Sequence, residues 1–380
     1  MHDFLLKQIT NTDIEQELID IGYDTNYAHK AKNKFYYKNY KIYDINCAQA
    51  NIIKQLALSV GADCGTHKEV ITGKVELSAC ILGGSISQLE KISQKLQLQP
   101  FGLKELGKIL EEKIKTEENK NKTKIIGILN VTKNSFSDGG KYYNFEDSIK
   151  HLHELINDGA NIIDIGAEST KPGAKEICAK EQLEKLVPIL EYINKNNIKI
   201  PISIDTRNAE VAQKCIKLGA SIINDVSGFD FDNSMPDVIA KNSEVKIIIQ
   251  HSLETPENMQ KSPHYDNLMD DIYKNLNNKV NLATKKGIKK ENIIVDPGIG
   301  FGKTQEHNFE IIKRWQELRT IGCPILIGLS RKSLLGMTNS TNQEKDIYTL
   351  ALNSILINKN IDYIRVHNVK LHRQLLNLLR

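Results

Sequence analysis

A chain of 380 residues is longer than one barrel or sandwich of about 250 residues needs, which leaves room for a large domain with a smaller companion. Hydrophobic residues at 40% and charged residues at 26% exclude a disordered or fibrous chain. The formal net charge of +4 is shared evenly, 18 basic against 16 acidic residues up to Lys124 and 33 against 31 beyond it, so no basic arm points to nucleic acid.

Residues 1–7 hold an apolar run of only three, too short for the core of a signal peptide. No later stretch approaches the ~20 apolar residues of a membrane span. The expectation is a soluble, cytoplasmic protein with neither a membrane nor a nucleic acid as partner. Residues 41–45 read as a strand and 48–60 as an amphipathic helix. Strand-like pieces follow at 69–75 and 79–82, then a second helix at 87–97, giving a small α/β unit over 1–110. Residues 111–123 contain one apolar side chain, Ile114, and read as a solvated helix end running into a charged linker. The six cysteines, Cys47, Cys64, Cys80, Cys178, Cys215 and Cys323, form no C-x-x-C pair and no metal spacing with a histidine. Reduced thiols are expected, in preference to a disulfide or zinc framework, and Cys47, Cys64 and Cys80 read as buried structural thiols and not as metal ligands with His67.

From residue 124 the pattern becomes regular. Short Ile/Val runs end the linker at 125–129 and recur at 162–165, 202–204, 222–223, 245–249, 293–295, 325–327 and 361–366. Helical periodicity fills the gaps at 147–158, 181–194, 209–218, 235–241, 267–285, 308–318 and 344–357, and a last helix covers 371–379. Eight strands, each followed by a helix, predict an α/β fold of the (β/α)₈ TIM-barrel type over 124–380. The runs are apolar on both faces, as a parallel sheet covered on both sides requires. A doubly wound open sheet is the rival and would suit six or seven such units better than eight.

Barrel chemistry gathers where strands end. Here those ends are Asn130, Asp164, Asp205, Asn224-Asp225, His251, Asp296, Ser330-Arg331-Lys332 and Arg365-His367, polar in all eight cases. The chain has 7 Arg against 44 Lys and none before Arg207, yet Arg207, Arg331 and Arg365 all fall at strand ends. That placement suggests positions where a flat, forked cation is needed for phosphate or carboxylate, although Arg207 equally suits a plain helix start. Three loops, 130–140, 166–174 and 296–304, are rich in glycine and small polar residues, which lets backbone approach a ligand. Gly300 to Thr304 lacks the spacing of a phosphate-binding P-loop.

Seven motifs in order carry a specific resemblance. They are Asn130-Val131-Thr132 with Ser135-Phe136-Ser137-Asp138-Gly139-Gly140, Glu168-Ser169-Thr170-Lys171-Pro172-Gly173, Asp205-Thr206, Asn224-Asp225-Val226-Ser227-Gly228, Asp296-Pro297-Gly298-Ile299-Gly300-Phe301-Gly302-Lys303, Ser330-Arg331-Lys332-Ser333 and Arg365-Val366-His367-Asn368. The stretch from Lys124 onward resembles the dihydropteroate synthase family, pterin-binding TIM barrels, here with an N-terminal extension.

The resemblance implies a transferase that joins p-aminobenzoate to 6-hydroxymethyl-7,8-dihydropterin pyrophosphate, giving 7,8-dihydropteroate and pyrophosphate with Mg²⁺. It further implies a homodimer and a target of sulfonamides. By similarity Asp296 takes the donor edge of the pterin, Asp205 and Asn224 its remaining polar rim, and Lys332 its acceptors, while Phe301 supplies an apolar floor. Arg365 and His367 correspond to the diphosphate site, with Asn130 beside the metal. Asp138 would stabilise a pterin cation, while Phe136, Thr170, Lys171, Pro172 and Ser333 would form the aminobenzoate pocket. This chain departs from the family at Lys133-Asn134, where Pro-Asp is usual, and at Lys171, where Arg is usual. Only His251 carries over after strand five, as a packed loop residue or a catalytic one. A pterin-dependent methyltransferase and a non-catalytic pterin-binding barrel are the competing readings. The anion-binding motifs around Arg331 and Arg365 argue against the first. Residues 1–110 carry no catalytic constellation.

Overall fold

The computed structural model describes residues 5–9, 13–115, 122–131, 145–168, 176–253, 263–332 and 340–379. The chain divides into two compact units, Met1–Glu117 and Glu118–Arg380.

The first unit starts with two short helices, α1 (Ile14–Asp20) and α2 (Thr25–Ala31), capped by the carboxylates of Asp13 and Asp24. Next come β1 (Tyr37–Ile45), α3 (Cys47–Leu58), β2 (Asp63–Thr66), β3 (Ser78–Ser85), α4 (Ile86–Leu96) and α5 (Leu103–Lys115). Reciprocal capping boxes, Asn46 with Gln49 and Ser85 with Gln88, start α3 and α4. The sheet order is β1-β3-β2, antiparallel throughout. Its inner face buries Cys64, Cys80 and Leu82 against Ile53, Leu89, Ile92, Leu103 and Leu110. The strand-like reading of 69–75 is not met. Lys68–Val70 is a 3₁₀ turn capped by His67, and Gly73 at φ +71° bends the chain in the left-handed region, so β-branched content there is outweighed by turn geometry. The charged stretch after residue 110 begins as the last turn of α5, which buries Ile114.

The second unit alternates strand and helix eight times: β4 (Lys124–Asn130), α6 (Phe145–Asn157), β5 (Ile162–Gly166), α7 (Ala179–Lys195), β6 (Ile202–Asp205), α8 (Ala209–Lys217), β7 (Ile222–Asp225), α9 (Met235–Ala240), β8 (Lys246–Gln250), α10 (Leu268–Lys285), β9 (Ile293–Asp296), α11 (Gln305–Arg314), β10 (Leu326–Ile327), α12 (Asn342–Asn358), β11 (Tyr363–Val366) and α13 (Val369–Leu378). All pairings are parallel, in the order β10-β11-β4-β5-β6-β7-β8-β9, and a bridge from Val295 to Ile325 joins the two ends. The predicted (β/α)₈ TIM barrel is the fold observed. The predicted helix over 308–318 instead ends at Arg314 and tightens into a 3₁₀ segment, Trp315–Ile321, which seats Trp315 fully buried.

Strand alternation then decides what reaches the mouth. Ile126, Ile162, Ile222, Ile248, Ile294, Leu326 and Tyr363 pack together as one apolar layer, separate from the larger core that joins strands to helices. Two residues further along each strand the side chain points to the same face. Those positions are Ile128, Asp164, Asn224, Gln250, Asp296, Gly328 and Arg365, and β6 adds Ser203 and Asp205 by register with Asp164 and Asn224. An apolar plug thus gives way to a polar layer within two residues.

Candidate active site

One arc of that polar layer is an ion network. Asp164, fully buried on β5, accepts from Ser203 Oγ at 2.5 Å through Oδ1. Its Oδ2 accepts from Asn224 Nδ2 at 3.1 Å and from Arg365 Nε at 2.5 Å. The other arm of the guanidinium, Nη2, donates to Asp205 Oδ2 at 2.7 Å. Burial, opposed mainly by the Arg365 charge, pushes the Asp205 carboxyl up to about 7. Asn224, by contrast, supplies a neutral amide at a position that stays polar at any pH.

The adjoining arc is built on the loop after β9. Gly298 at φ +69° sits so close to the end of the neighbouring β8 that a Cβ there would meet the carbonyl oxygen of His251 at 2.0 Å, so only glycine fits. Its N–H donates to Asp296 Oδ1 at 2.7 Å, which fixes the carboxylate at the strand end. Burial raises the Asp296 carboxyl, and the Lys332 charge works against that rise. Lys332 donates to the carbonyl of Ile299 and lies 4.8 Å from the Phe301 ring centroid. Burial pulls its ammonium down to about 8. Beneath them Lys303, wholly buried, reaches His251 Nδ1 at 3.0 Å and the Phe301 carbonyl at 2.9 Å. Tyr265 donates to the Gly302 carbonyl at 2.9 Å, so the loop backbone is held from two sides. His251 is buried and its imidazole is driven well below its ordinary value by burial, a packed neutral histidine that braces Lys303.

Asn130 ends β4 in register with Gly166, beside Asp205, since a Cβ on Gly166 would lie 3.6 Å from Asn130 Oδ1 and 3.4 Å from Asp205 Cβ. At the end of β11, His367 Nδ1 pairs with Ser330 Oγ at 2.9 Å, and the His367 N–H donates to the same hydroxyl at 3.1 Å.

The structure therefore places Asn130, Asp205, Asn224, Asp296, Lys332, Arg365 and His367 at the strand ends of one barrel face, in close mutual contact for Asp205 and Arg365. The expected site residues Phe136, Asp138, Thr170, Lys171, Pro172 and Ser333, with the departure at Lys133-Asn134, lie outside the described residues. All three strand-end arginines meet protein carboxylates, Arg365 those of Asp164 and Asp205. Arg207 is buried against Glu168 at 2.9 and 3.3 Å and stacks on Phe231 at 4.0 Å. Arg331 forks onto Asp346 with two bonds of 2.8 Å. In this structure the forks of Arg207 and Arg331, like that of Arg365, are occupied by protein carboxylates. Asp164, read from sequence only as one polar strand end, proves to be the most connected carboxylate of the layer. Its position two residues after Ile162 was the available signal.

The family model described as "Pterin binding enzyme" matches residues 126–367. This chain belongs to the dihydropteroate synthase family. It is 44% identical over 250 residues to the dihydropteroate synthase of Clostridium beijerinckii, covering 65% of this chain and 90% of that one. It is 33% identical over 344 residues to a probable bifunctional folylpolyglutamate synthase/dihydropteroate synthase of Haloferax volcanii, covering 84% of this chain but only 40% of that longer protein. Among solved structures, a Yersinia pestis dihydropteroate synthase in complex with a sulfonamide drug aligns at a TM-score of 0.64 and 35% identity, over 68% of this chain and 93% of that one. The larger share matched by the bifunctional relative means that its likeness extends beyond the barrel into residues that the Clostridium enzyme does not match.

Proposed function

We propose that the barrel condenses p-aminobenzoate with 6-hydroxymethyl-7,8-dihydropterin pyrophosphate, releasing pyrophosphate and 7,8-dihydropteroate in folate biosynthesis. The observation that carries this is the joining of two recognition chemistries at one rim. Buried carboxylates and an amide, Asp296, Asp205 and Asn224, suit the donor-rich edge of a pterin, and the Arg365 fork with His367 suits a diphosphate. A methyltransferase acting on a pterin has no diphosphate to hold. Asp296 accepts from the pterin edge while Lys332 donates to its ring acceptors, and the Phe301 face provides the stacking floor. Arg365 and His367 hold the diphosphate as charge collects on it, which favours its departure in a buried site. The attacking aniline nitrogen is neutral near pH 7, so no side chain is needed to deprotonate it first.

Mg²⁺ fits the chemistry of this rim. Among the described residues no group of three or more His, Cys, Asp or Glu is gathered for a metal, and a hard cation of this kind commonly keeps waters and substrate phosphates around one or two protein oxygens. Asn130 Oδ1 would be that protein oxygen. When bound, the ion neutralises diphosphate charge and improves the leaving group. The deciding assay is release of pyrophosphate by purified chain with Mg²⁺. It should require p-aminobenzoate and be inhibited competitively by a sulfonamide. Release that ignores p-aminobenzoate refutes the reading.

The protein acts, in this reading, as a cytoplasmic homodimer in which residues 124–380 hold the catalytic machinery and 1–110 are an appendage ahead of a linker. α12 supports the dimer because it buries polar residues beside Leu356 and Ile357 while leaving large apolar ones exposed. Its buried side carries Asp346, Thr349 and Asn353, which brace Arg331 and His372, while Ile347, Tyr348 and Ile355 face solvent. An exposed apolar stripe of that kind marks an interaction surface. Sedimentation should find dimers for the full chain and for a fragment starting at Lys122, and monomers after Ile347→Glu. A dimer that survives Ile347→Glu excludes this surface.

A further inference from the structure

Asp164 has no part in the chemistry above, yet it touches both subsites. Its three bonds, from Ser203 Oγ, Asn224 Nδ2 and Arg365 Nε, join a residue of the pterin rim to the cation of the diphosphate site. Its relative exposure is 0%, and Arg365 is its one ion-pair partner among the described residues.

The two carboxylates that share Arg365 are not equivalent. Asp164 holds Nε, on the stem side of the guanidinium, and is itself fixed by two further bonds. Asp205 holds Nη2, at the tip, and is the residue whose oxygens the pterin requires. A guanidinium has five N–H donors in a rigid plane, so anchoring Nε leaves the tip fork able to change partner. Asp164 cannot be displaced by the ligand without breaking the link to Asn224. Asp205 can be.

We propose that Asp164 is the positioning residue of the anion subsite: it fixes Arg365 through Nε and Asn224 through its amide, so that the substrate diphosphate draws the Arg365 tip away from Asp205 and thereby frees Asp205 for the pterin. One buried carboxylate then couples recognition of the two halves of the substrate. The inference rests on the proposed roles of Arg365 and Asn224.

The test is calorimetric titration of the full chain with 6-hydroxymethylpterin pyrophosphate and with 6-hydroxymethylpterin lacking the diphosphate. The wild type should prefer the diphosphate form and Arg365→Ala should abolish that preference. Failure at that stage refutes the assignment of Arg365, and with it the proposed site, before Asp164 is in question. Asp164→Asn keeps the shape and hydrogen-bonding capacity but removes the charge that fixes Nε. It should weaken the diphosphate form about 10-fold, the scale of one charge-assisted bond, and change the bare pterin by less than about 3-fold. An equal or larger loss for the bare pterin, or no loss for either ligand, overturns the proposal, because a carboxylate that merely packs would not discriminate between them. Should Asp164→Asn not fold, Ser203→Ala loosens Asp164 without altering its charge. The same bias at about 3-fold is expected there, and its absence is equally decisive against the proposal.

Discussion

Two arcs of the barrel rim store charge in opposite ways. Along β5, β6 and β11, Asp164, Asp205 and Arg365 are already in contact, at 2.5 and 2.7 Å. Along β9 and the segment after β10, neither Asp296 nor Lys332 has an ion-pair partner among the described residues, and Lys332 rests on a carbonyl and the face of Phe301. On the proposed reading the first arc must reorganise when substrate arrives. The second is desolvated in advance, its carboxyl raised and its ammonium lowered by burial, so a ligand that bridges Asp296 and Lys332 recovers energy that the empty site has forgone. On the proposed reading, binding is driven at the separated pair and the diphosphate is read by the paired arc.

The largest expected effect tests the separated pair. Asp296→Asn replaces one of the two buried acceptor oxygens by an amide N–H that faces donors, so kcat/KM should fall about 1000-fold, or roughly 4 kcal/mol. Steady-state kinetics giving less than a tenfold loss would mean that Asp296 does not take the pterin edge. Arg365→Ala breaks the paired arc instead. It strands Asp164 and Asp205 with no cation, which should cost about 3 kcal/mol in urea unfolding and raise KM for the pterin pyrophosphate roughly 100-fold. The contrast matters more than either number. The Asp296 variant should leave stability intact or improve it, because it relieves a buried unpaired carboxyl.

Much of this arrangement was legible in the sequence. Eight Ile/Val runs with polar ends give the barrel, and counting two residues on from Ile162, Ile222, Ile294 and Tyr363 selects Asp164, Asn224, Asp296 and Arg365 for the interior. The arginines show the limit. Arg207 and Arg331 lie beyond the strands, where alternation no longer dictates direction, and their partners Glu168 and Asp346 are 39 and 15 residues away. Nothing in the local sequence shows which carboxylate each arginine meets. The same holds for Lys303, whose partner His251 lies 52 residues earlier and is brought beside it by the Gly298 turn.

A smaller effect sharpens the separated pair through pH. Burial pulls Lys332 down to about 8, so below that pH it carries the charge that, on the proposed reading, a pterin acceptor and a departing diphosphate favour, and above it the charge is lost. The pH profile of kcat/KM reports free-enzyme groups, and it should bend downward near 8. Lys332→Arg keeps a cation that does not titrate in this range. The variant should be about tenfold less active, because the fork geometry differs, and its alkaline limb should move up or vanish. An unchanged limb would assign it to another group.

A pH effect on stability belongs to the paired arc. The folded state holds the proton on Asp205 up to about 7, well above the ordinary carboxylate value near 4, so between those values the folded protein binds more protons than the unfolded chain. Stability contributed by that group therefore falls as pH rises from 4 to 7. Asp225 and Asp296, also raised by burial, act in the same direction. His251, lowered by burial, acts in the opposite one, because the unfolded imidazole takes up the proton first. The wild-type curve alone thus mixes signs, and the difference between wild type and Asp205→Asn isolates the one group. Measured by urea midpoints at pH 5, 6, 7 and 8, that difference should grow in favour of the variant as pH rises to 7 and then level off. Asp164 keeps Arg365 paired in both proteins. A difference that stays flat would show that Asp205 is ionised throughout, held so by Arg365, and that the paired arc carries its full charge before any substrate arrives.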